Sequence, residues 1–361
     1  MLQKFTAPLP FETEGGAILP QIEVAYHTFG TLNADQSNVI WVCHPMTSDS
    51  DVSDWWKGLF GAGRWLDPGR YFIVCPNLPG SCYGSTGPLS PDPESGIPWY
   101  HDFPELTIRD MVKAQELLRA HLGIEKINLL TGGSIGGQIA LEWAVATPER
   151  FEYLILMATN ARQSPWAIAF NETQRMAIAT DPSWGQRNAS AGLEGLKVAR
   201  SVALLSYRHY HTYDLSHGNA DTQHHRDFPA AHYQRYQGEK LARRFNAFTY
   251  WCMTKAMDSH HAGRGRGSLE AALGRVKAQT LVLSVLSDLL FPVEEQQFIA
   301  RHIPGAIWAA VDSIYGHDGF LVETEAVADL VRRFMQATSR SQSLFLPLPP
   351  HRKVSNVETT L

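Results

Sequence analysis

Residues 132–137 read Gly-Gly-Ser-Ile-Gly-Gly, so that four glycines surround Ser134 between the apolar run "INLL" and the amphipathic "QIALEW". Glycine costs conformational entropy wherever it is ordered, and a cluster of this kind marks backbone that turns sharply or is approached closely. Two phosphate-binding readings fail on the residues. A Walker loop ends in Gly-Lys-Ser/Thr, and no lysine stands here; a dinucleotide fingerprint needs G-x-G-x-x-G, but Ser134 takes the place of its second glycine. The remaining pattern is G-x-S-x-G, Gly132 to Gly136, between a strand and a helix. A serine on such a turn is lifted from the edge of a sheet as a nucleophile. The next N–H, that of Ile135, then faces any oxyanion forming at the helix N-terminus.

The rest of the chain supplies the sheet this turn requires. "NVIWVC" (38–43) and "YFIVC" (71–75) are continuous apolar runs, as expected of parallel strands buried on both faces. "TIRDMVKAQELLRAHLG" (107–123) has helical spacing with Gly123 as its stop. Strand "KINLL", the Ser134 turn, helix "GQIALEWAVATPERF" and strand "YLILMAT" then form a right-handed parallel crossover. Alternation resumes near residue 278 with "AQTLVLSVLSD", "VEEQQFIARHI", "AIWAAVDS" and "ETEAVADLVRRFMQA". Residues 162–265 lack strand runs but carry helical patterns, among them "GLKVARSVALLSYRHY" and "GEKLARRFNAFTYWCMTKAM". The expected organisation is a mostly parallel α/β core in two parts (1–161 and 266–338), flanked by helices. A helical lid (162–265) is inserted between the parts, and a polar, proline-broken tail (339–361) reads as loosely packed or disordered.

A nucleophile on this turn predicts an acid and then a histidine, each on a loop after a later strand. Asp288 follows "TLVLSVLS" directly, and His317 follows "AIWAAVDS" in "YGHDGF". Ser134, Asp288 and His317 are therefore the expected triad. His302 and Asp312 lie within periodic elements and compete less well. The second oxyanion donor is expected from the loop after strand 38–43, where "VCHPMTSDSD" offers the N–H of Met46.

Composition narrows the partners. A net charge of −5 over 361 residues argues against nucleic acid or an anionic membrane surface. The N-terminus lacks a signal-peptide apolar core, no run is long enough to span a bilayer, and a cytoplasmic protein is expected. The four cysteines, Cys43, Cys75, Cys82 and Cys252, form no disulfide framework or zinc set. His209, His211, His217, His224 and His225 cluster without a familiar metal-ligand spacing and read as a polar loop, so no metal is expected.

Several longer stretches go further. "CHPMTSDSDVSDWWKGLFG", "NLPGSCYGSTGP", "HDFPELTIRDMVKAQ", "GGSIGGQIALEWAV", "IAFNETQRMAI", "YQRYQGEKLARRFNAF", "SDLLFPVEEQ" and "DSIYGHDGFLVE" resemble the homoserine O-acyltransferases of methionine biosynthesis. The resemblance covers most of the chain. It implies the α/β-hydrolase fold, acetyl-CoA as co-substrate with no bound cofactor, L-homoserine as acceptor, and a homodimer formed through the helical lid. It places nucleophile, acid and base on Ser134, Asp288 and His317. Asp318 would hold the substrate ammonium, and Arg208 in "SYR" would grip the carboxylate, with Arg175 in "NETQR" a second candidate. Two departures stand out: the family's H-A-L-T reads "HPMT" here, and its S-M-G-G reads "SIGG". Acetyl against succinyl donor, and homoserine against serine acceptor, stay open at this level. A small-ester hydrolase needs only the same triad, and a non-catalytic binding relative is disfavoured by the intact triad positions.

Overall fold

The computed structural model describes residues 1–218, 226 and 228–339. The first four strands, β1 (Gln3–Thr6), β2 (Phe11–Glu12), β3 (Ile18–Leu19) and β4 (Glu23–Phe29), are short. Strand β5 (Val39–Cys43), helix α1 (Val52–Trp55), strand β6 (Phe72–Pro76) and helix α2 (Ile108–His121) follow. Next come β7 (Ile127–Gly133), α3 (Ile135–Ala146) and β8 (Phe151–Met157). Five helices stand after β8: α4 (Pro165–Ala179), α5 (Leu193–Tyr207), α6 (Tyr210–His217), α7 (Pro229–Ala242) and α8 (Ala247–Asp258). The chain closes with α9 (Leu269–Leu273), β9 (Gln279–Val285), α10 (Val293–His302), β10 (Ile307–Val311), α11 (Gly319–Val322) and α12 (Thr324–Ser339).

Eight strands form one sheet in the order β1-β4-β6-β5-β7-β8-β9-β10. From β6 to β10 every neighbouring pair is parallel, as expected, because β5, β7 and β8 are buried on both faces beneath helices. Two antiparallel additions at one edge, β4 on β6 and β1 on β4, were not anticipated. Their sequences alternate weakly, and β4 becomes a strand because the β6 edge offers it a ladder. Helix α2 begins at a capping box in which Thr107 and Asp110 satisfy each other's backbone N–H groups. Gly123, with φ +66°, turns the chain just beyond it.

Helices α4 to α8 leave and re-enter the core at one place. Gln163 N–H donates to His260 O and Ala262 N–H to Ala161 O, both at 2.9 Å, so the segment stands on a two-stranded neck. Helix α4 packs on α5 and α8, and α5 on α7. The stretch "GEKLARRFNAFTYWCMTKAM" reads as one helical pattern but forms two helices. Asn246 interrupts it, its side chain accepting from Thr249 N–H at 2.8 Å to cap α8. The tail from 340 onward, and His224 and His225 of the histidine-rich stretch, lie outside the described residues. Among the described residues no group of side chains is arranged to hold a metal ion, and no helix is long and apolar enough to cross a membrane.

Candidate active site

Because β5 to β10 run parallel, the loops after β5, β7, β9 and β10 all emerge at one edge of the sheet, where sites of open α/β sheets lie. Those loops carry Met46, Ser134, Asp288 and His317, and the topology brings them together from four distant parts of the sequence.

Ser134 joins β7 directly to α3. Its φ of +58° is uncommon for a residue with a side chain and stores about 1–3 kcal/mol of strain. The surroundings hold it there. Ser134 N–H donates to Met157 O, while its own carbonyl accepts from Gly137 N–H, Gln138 N–H and the Thr159 hydroxyl. The glycines are required by crowding. A Cβ on Gly132 would lie 2.3 Å from Gly136 O, and one on Gly136 would lie 2.1 Å from Cys43 O. Strand, helix and the start of the β5 loop therefore meet backbone to backbone.

His317 lies in a single 3-10 turn, Gly316–Asp318, that α5 covers: a Cβ on Gly316 would lie 2.9 Å from the backbone of Arg208. Its Nδ1 lies 2.7 Å from Asp288 Oδ2. The other carboxylate oxygen, Oδ1, accepts from Leu290 N–H at 2.8 Å and Phe291 N–H at 3.0 Å. A carboxylate that accepts from two amides is an acceptor for His317 as well, so the proton sits on Nδ1 and Nε2 is free to receive one. Ser287 ties the two loops together, donating to Ser313 O and accepting from Gly316 N–H. Burial disfavours the charged imidazolium, but the charge and hydrogen bond of Asp288, with a further contribution from Asp318, outweigh it and raise the His317 pKa above 6.5. The Phe320 ring links the two halves: it packs 5.6 Å from the His317 ring and occupies the space a Gly133 side chain would fill. The two rivals are elsewhere employed: His302 bonds Phe298 O within α10, and Asp312 is exposed.

The two expected oxyanion donors flank this serine. Ile135 N–H opens α3, and Met46 lies in the loop that Gly136 touches. Among the described residues neither N–H has a protein acceptor, although both residues are buried. A backbone N–H without a protein acceptor is the donor that an oxyanion site requires.

The expected carboxylate grips are placed differently. Arg208 ends α5 and puts Nε 3.2 Å from Asp318 Oδ2, an ion pair without an aligned hydrogen bond. Arg175 is buried and already engaged: its Nη2 meets Asp258 at 2.6 Å and Glu172 at 2.5 Å, which ties α4 to α8, while its Nη1 has no partner among the described residues. Sequence reasoning missed Arg200. Its Nε and Nη1 are buried with no acceptor among the described residues, and its guanidinium lies 5.4 Å from the Tyr207 ring. That ring in turn lies 5.6 Å from the ring of His317. A signal was present in "VARSVALLSYR": residues seven apart share a helix face, so Arg200 points the way Tyr207 does.

Comparisons with known proteins identify the family. Residues 38–324 match the family model described as alpha/beta hydrolase fold. The homoserine O-acetyltransferase of Cyclobacterium marinum is 49% identical over 321 residues, covering 89% of this chain and 91% of that protein. The crystal structure of homoserine O-acetyltransferase from Bacillus anthracis superposes with a TM-score of 0.85 at 25% identity, covering 93% of this chain and 98% of that one. The structure of esterase E22 gives 0.84 at 25% identity, covering 93% and 100%. Nearly half of all residues in common over almost the full length of both chains, with the fold's family model matched over residues 38–324, leaves one assignment: this chain belongs to the homoserine O-acetyltransferase family of the α/β-hydrolase fold.

Proposed function

We infer that this protein transfers an acetyl group from acetyl-CoA to the side-chain hydroxyl of L-homoserine, a step of methionine biosynthesis, through an acyl-serine intermediate. The observation that carries the mechanism is the buried Asp288–His317 pair, whose free Nε2 belongs to a histidine sharing the Phe320 ring with the Ser134 turn. His317 takes the Ser134 proton as Oγ attacks the thioester carbonyl. The N–H groups of Met46 and Ile135 receive the tetrahedral oxyanion. The carbon–sulfur bond then breaks, and the proton on His317 passes to the departing CoA thiolate. Homoserine enters, His317 takes the proton of its hydroxyl, and that oxygen attacks the acetyl-serine. Collapse releases O-acetylhomoserine and returns the proton to Ser134. The acyl carrier is Ser134 itself, so the chemistry asks for no resident cofactor.

The acceptor is a zwitterion, and two unlike charges stand near His317 to read it. Asp318 takes the ammonium. Arg200, whose Nε and Nη1 have no partner among the described residues, takes the carboxylate alongside the Arg208 expected from sequence, which the incoming ammonium displaces from Asp318. The five-helix segment covers the site as a lid and keeps water from the acetyl-serine, which separates transfer from hydrolysis. A homodimer through this lid accounts for the apolar side chains it leaves exposed, Met176, Val198, Leu205, Leu215 and Tyr236 among them. Four free thiols suit the reducing cytoplasm.

The test is CoA-thiol release from acetyl-CoA and succinyl-CoA, each with homoserine, serine or no acceptor, with the product identified by mass. Acetyl-CoA turnover that needs homoserine and vanishes in Ser134→Ala is the expected result. Thiol release indifferent to the acceptor marks a hydrolase instead and removes the roles given to Asp318 and Arg200.

A further inference from the structure

His44 is fully buried between the site and the core, and the acyl-transfer steps make no use of it. Both of its ring nitrogens are engaged. Leu78 N–H, from the loop after β6, donates to Nε2 at 3.2 Å. An Nε2 that accepts cannot carry the proton, so Nδ1 carries it and donates to Pro45 O at 2.8 Å. Burial pushes the His44 pKa down to about 4, so the ring stays neutral at any working pH and the two hydrogen bonds choose its tautomer.

Pro45 O belongs to the peptide group whose N–H is that of Met46. A peptide is planar, and in the trans form its C=O and N–H point in opposite directions; among the described residues no peptide is cis. Whatever holds Pro45 O also aims Met46 N–H. His44 holds it from one direction, and Ser48 N–H donates to the same oxygen at 3.0 Å. Two residues on, Thr47 O is held by Arg244 Nη1 at 2.6 Å, from the turn between α7 and α8. Proline fixes the φ of residue 45, leaving little freedom in the segment. The other end of the loop is seated on α3, since a Cβ on Gly136 would meet both Cys43 O and His44 O.

We propose that His44 is a positioning residue for the oxyanion site: its Nδ1–H fixes the Pro45–Met46 peptide so that Met46 N–H is aimed before the acetyl group arrives. The proposal rests on the acyl-serine reading above and deepens it. A merely structural histidine would matter for stability alone. A positioning histidine matters for the transition state, where the carbonyl oxygen becomes an anion, and hardly at all for ground-state binding.

Two variants separate the contacts. Asparagine places an amide N–H near the position of Nδ1 and keeps the bond to Pro45 O; glutamine reaches the position of Nε2 and keeps only the Leu78 contact. His44→Gln is expected to lower kcat for thiol release by roughly 10- to 100-fold, short of the ~10²–10³ for deleting a donor. KM for acetyl-CoA should stay within about twofold, while affinity for a boronic acid, whose tetrahedral adduct on Ser134 puts an oxygen in the site, falls by the same factor as kcat. His44→Asn should recover most of both. Equal impairment of the two variants, or a loss of melting temperature with kcat unchanged, overturns the proposal. A third reading needs no variant: ¹⁵N shifts of His44 in the wild-type protein must report the Nδ1–H tautomer from pH 5 to 9, and an Nε2–H tautomer refutes the geometry. Wild-type thiol release without a homoserine requirement would defeat the functional reading alone, because the His44 variants can still be compared on thioester hydrolysis.

Discussion

Gly136→Ala isolates the crowding that holds the serine turn. An added Cβ would stand 2.1 Å from Cys43 O, 2.7 Å from Cys43 C and 3.0 Å from His44 O. Ordinary contact needs roughly 3.5 Å, so the start of α3 must move about 1.4 Å from the end of β5. Neither partner is a side-chain tip that can swing away; both are backbone in the middle of the sheet and its central helix. The cost belongs at the upper end of the ~1–3 kcal/mol typical of overpacking. For a chain of this length each kcal/mol lowers the melting temperature by roughly 2 °C, so a drop of about 4–6 °C is expected. The rate suffers more. The displacement separates Ile135 N–H on α3 from Met46 N–H on the β5 loop, and a misplacement near 1 Å costs on the order of 10²-fold. Thiol release measured beside calorimetry should show both losses, while a fluorophosphonate still labels Ser134, because the nucleophile and its base remain. A Gly136→Ala protein with kcat within threefold of wild type and an unchanged melting temperature would refute the close approach and the oxyanion geometry built on it.

Three further outcomes follow from the charges on and around the site. His317 acts as a base, so activity should rise with pH through a pKa above 6.5; Asp318→Asn removes one raising charge and should move that limb to lower pH in a kcat/KM profile. Arg200→Met should raise KM for homoserine by about 10²-fold or more with the melting temperature little changed. Arg175→Met should do the reverse, leaving KM alone and costing about 3–5 kcal/mol in denaturant unfolding, because it strands Asp258 without its partner.

Much of the core was readable from local pattern. Each parallel strand is a short apolar run because both of its faces are covered, and each run announces itself without reference to its neighbours. The glycine spacing around Ser134 reports a backbone approach that no other residue permits, and the chain order serine, acid, histidine follows from which strand ends carry loops. The antiparallel strands β1 and β4 were not readable, since a weakly alternating segment becomes a strand only when an unpaired edge lies beside it. The break before α8 was hidden for a similar reason: "ARRFNAF" continues a helical period, and Asn246 acts as a cap only where the chain has somewhere else to go.

The arginines divide the two kinds of information most clearly. The sequence by itself determined a mostly parallel α/β sheet, a glycine-bound serine turn, the strand-end loops that carry Asp288 and His317, and a run of helices rich in arginine, because strand burial, backbone crowding and helical period are local properties. Which arginine is free is not a local property. Arg175 finds Asp258, which stands 83 positions later, and Arg208 faces Asp318, while Arg200 lies half-buried beside Tyr207 with its Nε and Nη1 unpaired among the described residues. A guanidinium's partner depends on which carboxylates the fold brings within a few ångströms, and only the tertiary structure decided that.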